Sequence, residues 1–339
     1  MRNWKNIRYD RLFFLILIVF LMVSGVFKAG NYFFSKVAAY TLYWPNRAET
    51  PADDGYTPLP VSPSKVASST VTAEDLFSKN VFLLERASKK TILNINGEDL
   101  IYPASLSKIM TVIIAIENIN NLSASVNINP DIFAPLNAAG ASMAGFLPDE
   151  KVPLIDLIYG ALLPSGADAA TSLALYVSPS ENEFIGLMNQ KAAQLKLQNT
   201  NFSNVTGLHD IENYSTARDL AFLLDYSLEN PIFRGAFSAQ YHNVKSTNMH
   251  PEGFTMLSTL FRRLPASAFD GGAILGGKTG YTRQAGLCMA SLAEKDGGEF
   301  ILVTTQASGD YQSEPLFITD AFTVYNNLSI NSIPEASNN

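Results

Sequence analysis

Between Leu106 and Ile116 the chain reads LSKIMTVIIAI, and only Ser107, Lys108 and Thr111 are polar. Residues 105–119 can form about four turns of helix. A helix that is apolar on nearly every side has to be enclosed by other elements. This constraint demands a sizeable domain built around the segment, and it draws a lysine inside. With 339 residues, 47% of them apolar, the chain can supply such a core.

The surrounding pattern is mixed. Residues 80–86 (NVFLLER) and 91–96 (TILNIN) predict two strands around a polar turn. Residues 154–176, 183–195 and 216–227 predict helices, the last with Thr216 and Asp219 placed as a capping box. Residues 285–293 and 300–306 predict a strand pair around EKDGGE, and 314–326 a final helix. Strands at both ends with helices between them imply an α+β fold: one sheet closed by sequence-distant strands and covered by helices.

The N-terminus predicts a membrane anchor. Residues 1–11 carry Arg2, Lys5, Arg8 and Arg11, and residues 12–27 carry no charge. That run spans about 24 Å as a helix, against a hydrocarbon core of roughly 30 Å. Lys28 can snorkel, and 29–34 is again mostly apolar, so 12–34 is long enough. Positive residues ahead of the span place the N-terminus inside the cell and the rest outside. The alternative is a cleaved signal peptide, with small residues at Val37-Ala38-Ala39. Residues 35–73, with Pro45, Pro51, Pro58, Pro60 and Pro63, predict an extended linker. The folded domain is expected over 74–326, followed by a polar tail, 327–339.

Several function classes are excluded. One cysteine, Cys288, closes no intrachain disulfide and builds no multi-cysteine metal cage. His209, His242 and His250 have no H-E-x-x-H spacing. A balance of 24 basic to 31 acidic residues, net −7, does not suit nucleic acid.

The chemistry lies in three places. In YPASLSKIM (102–110), Ser105 and Lys108 are three residues apart and share a helix face. A serine hydroxyl needs a base to become a nucleophile. Lys108 is that base if burial and the positive helix end lower its pKa. Ser62-Pro-Ser-Lys65 repeats the spacing, but in the Pro-rich stretch. In GKTGYT (277–282), Lys278 and Thr279 can hold a carboxylate, and Gly280 lets a substrate lie close to the strand. In LLPSGADAA (162–170), Ser165 either lines a cleft or caps a helix.

S-x-x-K, a second serine motif and K-T-G are together the signature of penicillin-binding proteins and class A β-lactamases. The chain resembles the serine D-alanyl-D-alanine carboxypeptidases, the low-molecular-weight penicillin-binding proteins, over about 74–326. The likeness includes PASLSKIMTVIIAIE, LIDLIYGALLPSGADAA, NTNFSNVTGLH, YSTARDL and GGKTGYTRQAGLC. The resemblance implies a transpeptidase-like fold: an antiparallel sheet flanked by helices, plus an all-helical subdomain. It implies that Ser105 attacks the terminal D-Ala-D-Ala bond of a peptidoglycan stem peptide, and that penicillin acylates the same serine. Lys108 would be the general base and Ser165 a proton relay to the leaving amine. Lys278 and Thr279 would bind the terminal carboxylate. The backbone N–H groups of Ser105 and Tyr281 would form the oxyanion hole. No cofactor or metal is implied.

The chain departs from the family pattern at Ala167, where the second motif usually carries asparagine. Losing that amide could cost about 10²–10³ in rate, and Asp168 points about 100° away on a helix. A catalytically impaired binding protein and a D,D-endopeptidase therefore stand as alternatives. A β-lactamase lacks support, since no Glu-x-x-Leu-Asn segment follows Ser165. Family members often add a C-terminal β domain and anchor; here the N-terminal span is expected to do the anchoring. His209 beside Asp210 is expected at the cleft rim, His242 and His250 without partners, Cys288 in a buried strand, and Arg218 with Asp219 as an ion pair.

Overall fold

The computed structural model describes residues 65–310 and 312–332. The terminus 1–11, the span 12–34 and the linker up to residue 64 lie outside them. The described chain opens with strand β1 (Lys65–Ser69), then the hairpin of β2 (Asn80–Glu85) and β3 (Lys90–Ile95). A 3-10 turn, Ala104–Ser107, leads into α1 (Lys108–Asn118). Then come β4 (Ser125–Asn127), α2 (Phe133–Ala138), β5 (Lys151–Pro153), α3 (Leu154–Leu162), α4 (Ala167–Val177) and α5 (Glu181–Gln194). They are followed by α6 (Ala217–Leu228), α7 (Pro231–Phe237), β6 (Tyr241–Val244) and β7 (Phe254–Leu257). Last are β8 (Ala268–Phe269), β9 (Gly272–Thr282), β10 (Gly286–Lys295), β11 (Gly298–Ala307), α8 (Leu316–Asn326) and β12 (Leu328–Ser332).

The main sheet is antiparallel with order β3-β2-β11-β10-β9-β8, so the early hairpin joins the late strands, as an α+β fold requires. Both sheet faces are covered, which is why β2 reads as an unbroken apolar run. Val81 and Leu83 join one core with Phe317, Val324 and Tyr325 of α8. Phe82 and Leu84 point the other way, into the helical core around α1. In α1 every side chain from Lys108 to Ile116 is buried. It packs against α3, α4, α5, α6 and α7. Each fully buried isoleucine or leucine there contributes roughly 1.5–3 kcal/mol.

Three expectations change. The helix expected over 154–176 is broken: α3 ends at Leu162, α4 begins at Ala167, and Ser165 between them has φ +67. The folded unit is wider than 74–326, because β1 and β12 pair from Lys65↔Ser332 to Ser69↔Leu328. The end of the predicted linker and the start of the predicted tail thus close on each other. The α6 capping box is half made. Thr216 accepts the Asp219 N–H at 3.0 Å, but the Asp219 carboxylate turns to Asn199 N–H and the Thr200 hydroxyl.

Candidate active site

Ser105 sits in the 3-10 turn, which a left-handed Ala104 (φ +47) opens. One turn on, Lys108 Nζ donates to Ser105 Oγ at 3.0 Å. The lysine is 2% exposed, and burial holds its amine down at about 7, with a smaller opposing pull from Asp168. Lys108 Nζ also donates to the carbonyl of Thr206. That carbonyl is presented by a turn wound around one side chain. Asn204 Oδ1 accepts the N–H groups of Gly207 at 2.7 Å and Thr206 at 3.2 Å, while its Nδ2 donates to Leu208 O at 3.0 Å. Gly207 (φ +76) is pressed against Ala104, where a Cβ would lie 1.9 Å from the carbonyl oxygen. Only glycine fits there.

Ser165 and Lys278 form a second pair. Lys278 is fully buried, and its Nζ donates to Ser165 Oγ and to Thr279 O, both at 2.7 Å. Burial first, then the neighbouring Lys108, pushes its pKa well below the ordinary lysine value. The Thr279 hydroxyl shares a 2.7 Å bond with the Thr259 hydroxyl. Gly280 carries the strand past the nucleophile: a Cβ on it would lie 3.0 Å from the Ser105 nitrogen and 3.2 Å from the Ala104 Cβ.

Ser105 and Lys108 border a cleft of about 380 Å³ whose walls also include Ser142, Ala167, His209 and Tyr281. Ser165, Lys278, Thr279 and Gly280 are not on that wall; Ser165 and Lys278 lie buried behind it. His209 is at the rim, edge-on to Tyr102 with ring centroids 4.7 Å apart. Ala167 faces the cleft, whereas Asp168 turns back and its Oδ1 accepts the Ala144 N–H at 2.7 Å. With the 2.7 Å bond from Ala167 N–H to Ser142 O, this clips the cleft-wall loop to the start of α4.

Sequence reasoning placed the Ser105–Lys108 spacing and singled out Ser165 and Lys278 separately, but not the bond between those two, the turn at 204–208 or Thr259. The glycine in NVTG was the one local signal of that turn. His242 and His250, expected without partners, lie 2.6 Å from Asp156 and 2.9 Å from Glu150; the first contact ties β6 to α3, and the second ties the β6–β7 loop to the residue before β5. Cys288 is buried in β10, and burial pushes its thiol up to about 12. Arg218 pairs with Asp219 at 3.4 Å as expected.

Comparison with known proteins follows the same outline. A family profile described as D-alanyl-D-alanine carboxypeptidase matches residues 67–309. D-alanyl-D-alanine carboxypeptidase DacF of Bacillus subtilis is 31% identical over 235 residues, 68% of this chain and 58% of the relative. The chain thus spans less than two thirds of that relative. A D-alanyl-D-alanine endopeptidase of Escherichia coli is 30% identical over 260 residues, 75% of this chain and 80% of the relative. The solved Streptomyces K15 DD-transpeptidase superposes with a TM-score of 0.68 at 29% identity, covering 76% of this chain and 98% of that one.

Proposed function

The chain belongs to the D-alanyl-D-alanine carboxypeptidase family of serine peptidases, and from that premise we propose that it removes the terminal D-alanine from peptidoglycan stem peptides. The observation that carries the reading is Lys108 Nζ, 3.0 Å from Ser105 Oγ and held at about 7 by burial. At neutral pH much of that amine is unprotonated, as a general base must be.

Ser105 Oγ attacks the carbonyl carbon of the D-Ala-D-Ala bond while Lys108 takes its proton. The carbonyl electrons move onto oxygen, toward the N–H groups of Ser105 and Tyr281. Two such donors are worth about 3 kcal/mol each to the developing charge. The C–N bond then breaks as the proton taken up by Lys108 is passed on through the hydroxyl of Ser165, which Lys278 holds at 2.7 Å, to the D-alanine amine, leaving Lys108 neutral again. Water, activated by Lys108, hydrolyses the ester and restores Ser105. The Thr279 hydroxyl would meet the substrate carboxylate, with the Lys278 amine behind it fixing Ser165 and the Thr279 carbonyl. Penicillin, which mimics the D-Ala-D-Ala end, acylates Ser105 by the same route.

Residues 12–34 would hold the enzyme in the cell membrane as a single-pass anchor, with 74–326 carrying catalysis outside the cytoplasm. The support is the basic residues ahead of an uncharged apolar run. Among the described residues no helix is long and apolar enough to cross a membrane. N-terminal sequencing of the mature protein should return the start of the chain; a start at Tyr40 would overturn the anchor.

The direct test of activity is D-alanine release from a pentapeptide ending in D-Ala-D-Ala, with Ser105→Ala as blank. Release is expected to fall by on the order of 10⁵-fold in the variant, the scale on which a serine nucleophile counts. Release that survives in the variant would remove Ser105 from the mechanism. A second reading, cleavage of D-Ala crosslinks, is favoured by the coverage of the Escherichia coli endopeptidase. It predicts that crosslinked dimers are consumed as fast as pentapeptide.

A further inference from the structure

The catalytic cleft does not end at His209. Ala139, Thr206 and Leu208 border both that cleft and a neighbouring groove of about 460 Å³. Leu175 in turn borders that groove and an outer pocket of about 410 Å³. The three hollows are neighbours that share wall residues, and α4 lines each of them, from Ala167 at its first residue to Tyr176 near its last. Those residues are nine positions apart in α4, about 13.5 Å along a helix.

The outer pocket differs chemically from the inner two. The cleft carries Lys108 and Arg283, and the groove carries Asp131 and Glu181. The outer pocket has no acidic or basic residue on its wall. It offers Asn127, Asn129, Ser172 and the ring of Tyr176, which is 45% exposed. Ser172 is 5% exposed, and its hydroxyl has no hydrogen-bond partner among the described residues. Buried hydroxyls are nearly always partnered, and one staggered step about χ1 re-aims a serine oxygen. An uncharged site with neutral amides, a hydroxyl and an exposed aromatic face suits a neutral, hydroxylated ring. It does not suit an ion.

We propose that this outer pocket is a sugar subsite, receiving an N-acylated amino sugar of the glycan strand to which the stem peptide is attached. The inference rests on the proposed D,D-carboxypeptidase reading, and it deepens it by assigning the far end of the substrate. The spacing fits. In a pentapeptide, four residues lie on the acyl side of the scissile bond. Extended, they span about 13 Å, close to the length of α4 between the cleft and Tyr176. The peptide would cross the central groove, and its sugar would reach the ring of Tyr176 with Ser172 and Asn127 beside it.

The test is calorimetric binding to the full-length Ser105→Ala protein in detergent, which binds without turnover. The ligands are a free pentapeptide and the same pentapeptide carrying its disaccharide. The disaccharide is expected to tighten binding about tenfold. Tyr176→Ala and Ser172→Ala should each bring the ratio of the two dissociation constants toward one, while Tyr176→Phe restores most of it. Tyr241→Ala, on β6, should leave the ratio at its parent value. Equal binding of both ligands by the parent would overturn the subsite. So would a ratio that survives Tyr176→Ala, because the sugar would then sit elsewhere. If neither ligand binds, the subsite fails as well. The carboxypeptidase reading is judged separately, by D-alanine release from the free pentapeptide with Ser105 intact. Release there, with no disaccharide effect on binding, removes the sugar subsite and keeps the activity.

Discussion

Two turns supply the two serines of the site, and they are built on different principles. At 104–108 serine and lysine are one helical turn apart, and a single 3.0 Å bond joins them within the segment. At 163–167 the serine stands at φ +67 between two helices, and its lysine partner is 113 residues away on β9. Both turns use a non-glycine residue in the left-handed region, Ala104 and Ser165, a conformation that costs of order 1–3 kcal/mol. The first turn carries the serine and lysine that the family resemblance leads one to expect; the second carries Ala167 where that resemblance leads one to expect asparagine. A local pair survives as long as its helix forms, whereas a long-range pair depends on how the sheet meets the helical region. The second turn is therefore where a change can accumulate without unfolding the first.

Replacing the local base should have the largest effect on this contrast. Lys108→Met keeps the buried stem and removes the amine, and acylation by penicillin should slow by about 10³–10⁴, the upper range for a general base. Stopped-flow acylation kinetics measure it. A loss under tenfold would shift the base role to the Ser165–Lys278 pair and reverse the ranking of the two turns.

A gain is expected at the second turn. Ala167→Asn puts an amide on the cleft wall that Ser142 and Lys108 also line, and kcat/KM for D-alanine release should rise by about 100-fold, the lower end of the range for one transition-state hydrogen bond. No gain would mean that Ser142 or another wall group already holds the substrate there.

The smallest effect is electrostatic. Lys108 works when neutral, so acylation should rise with pH through about 7 and then level off. Asp168 favours the ammonium form of Lys108. Asp168→Asn removes that charge, while the new amide oxygen can still accept the Ala144 N–H. The acid limb of the acylation profile should therefore move to lower pH, by a fraction of a unit. A limb that stays in place would limit Asp168 to clipping the cleft-wall loop.

Much of this was legible beforehand for physical reasons. β2, β3, β10, β11, α5, α6 and α8 follow from runs whose period and length leave one choice, and α1 from an apolar composition that only burial permits. The Ser105–Lys108 pair is a spacing of three on a helix, which is local geometry. The break at 163–166 was signalled by Pro164 and Gly166, since proline and glycine interrupt a helix, and the expectation of one helix over 154–176 overran that signal. β1 and β12 were hidden in polar stretches whose pairing residues are far apart in sequence. The partners of His242 and His250 were hidden likewise, 86 and 100 positions away.

The sequence by itself determined the mixed fold class and the buried lysine beside a serine, since each depends on residue type and short spacing, while Ala167 stood out only through the family resemblance. Tertiary structure alone decided that Lys278 backs Ser165 from behind the cleft wall and that the Asn204 turn hands a carbonyl to Lys108. It alone set three hollows side by side on α4. Those relations join segments tens to hundreds of residues apart, and only closure of the sheet against the helical region brings such segments within hydrogen-bonding distance.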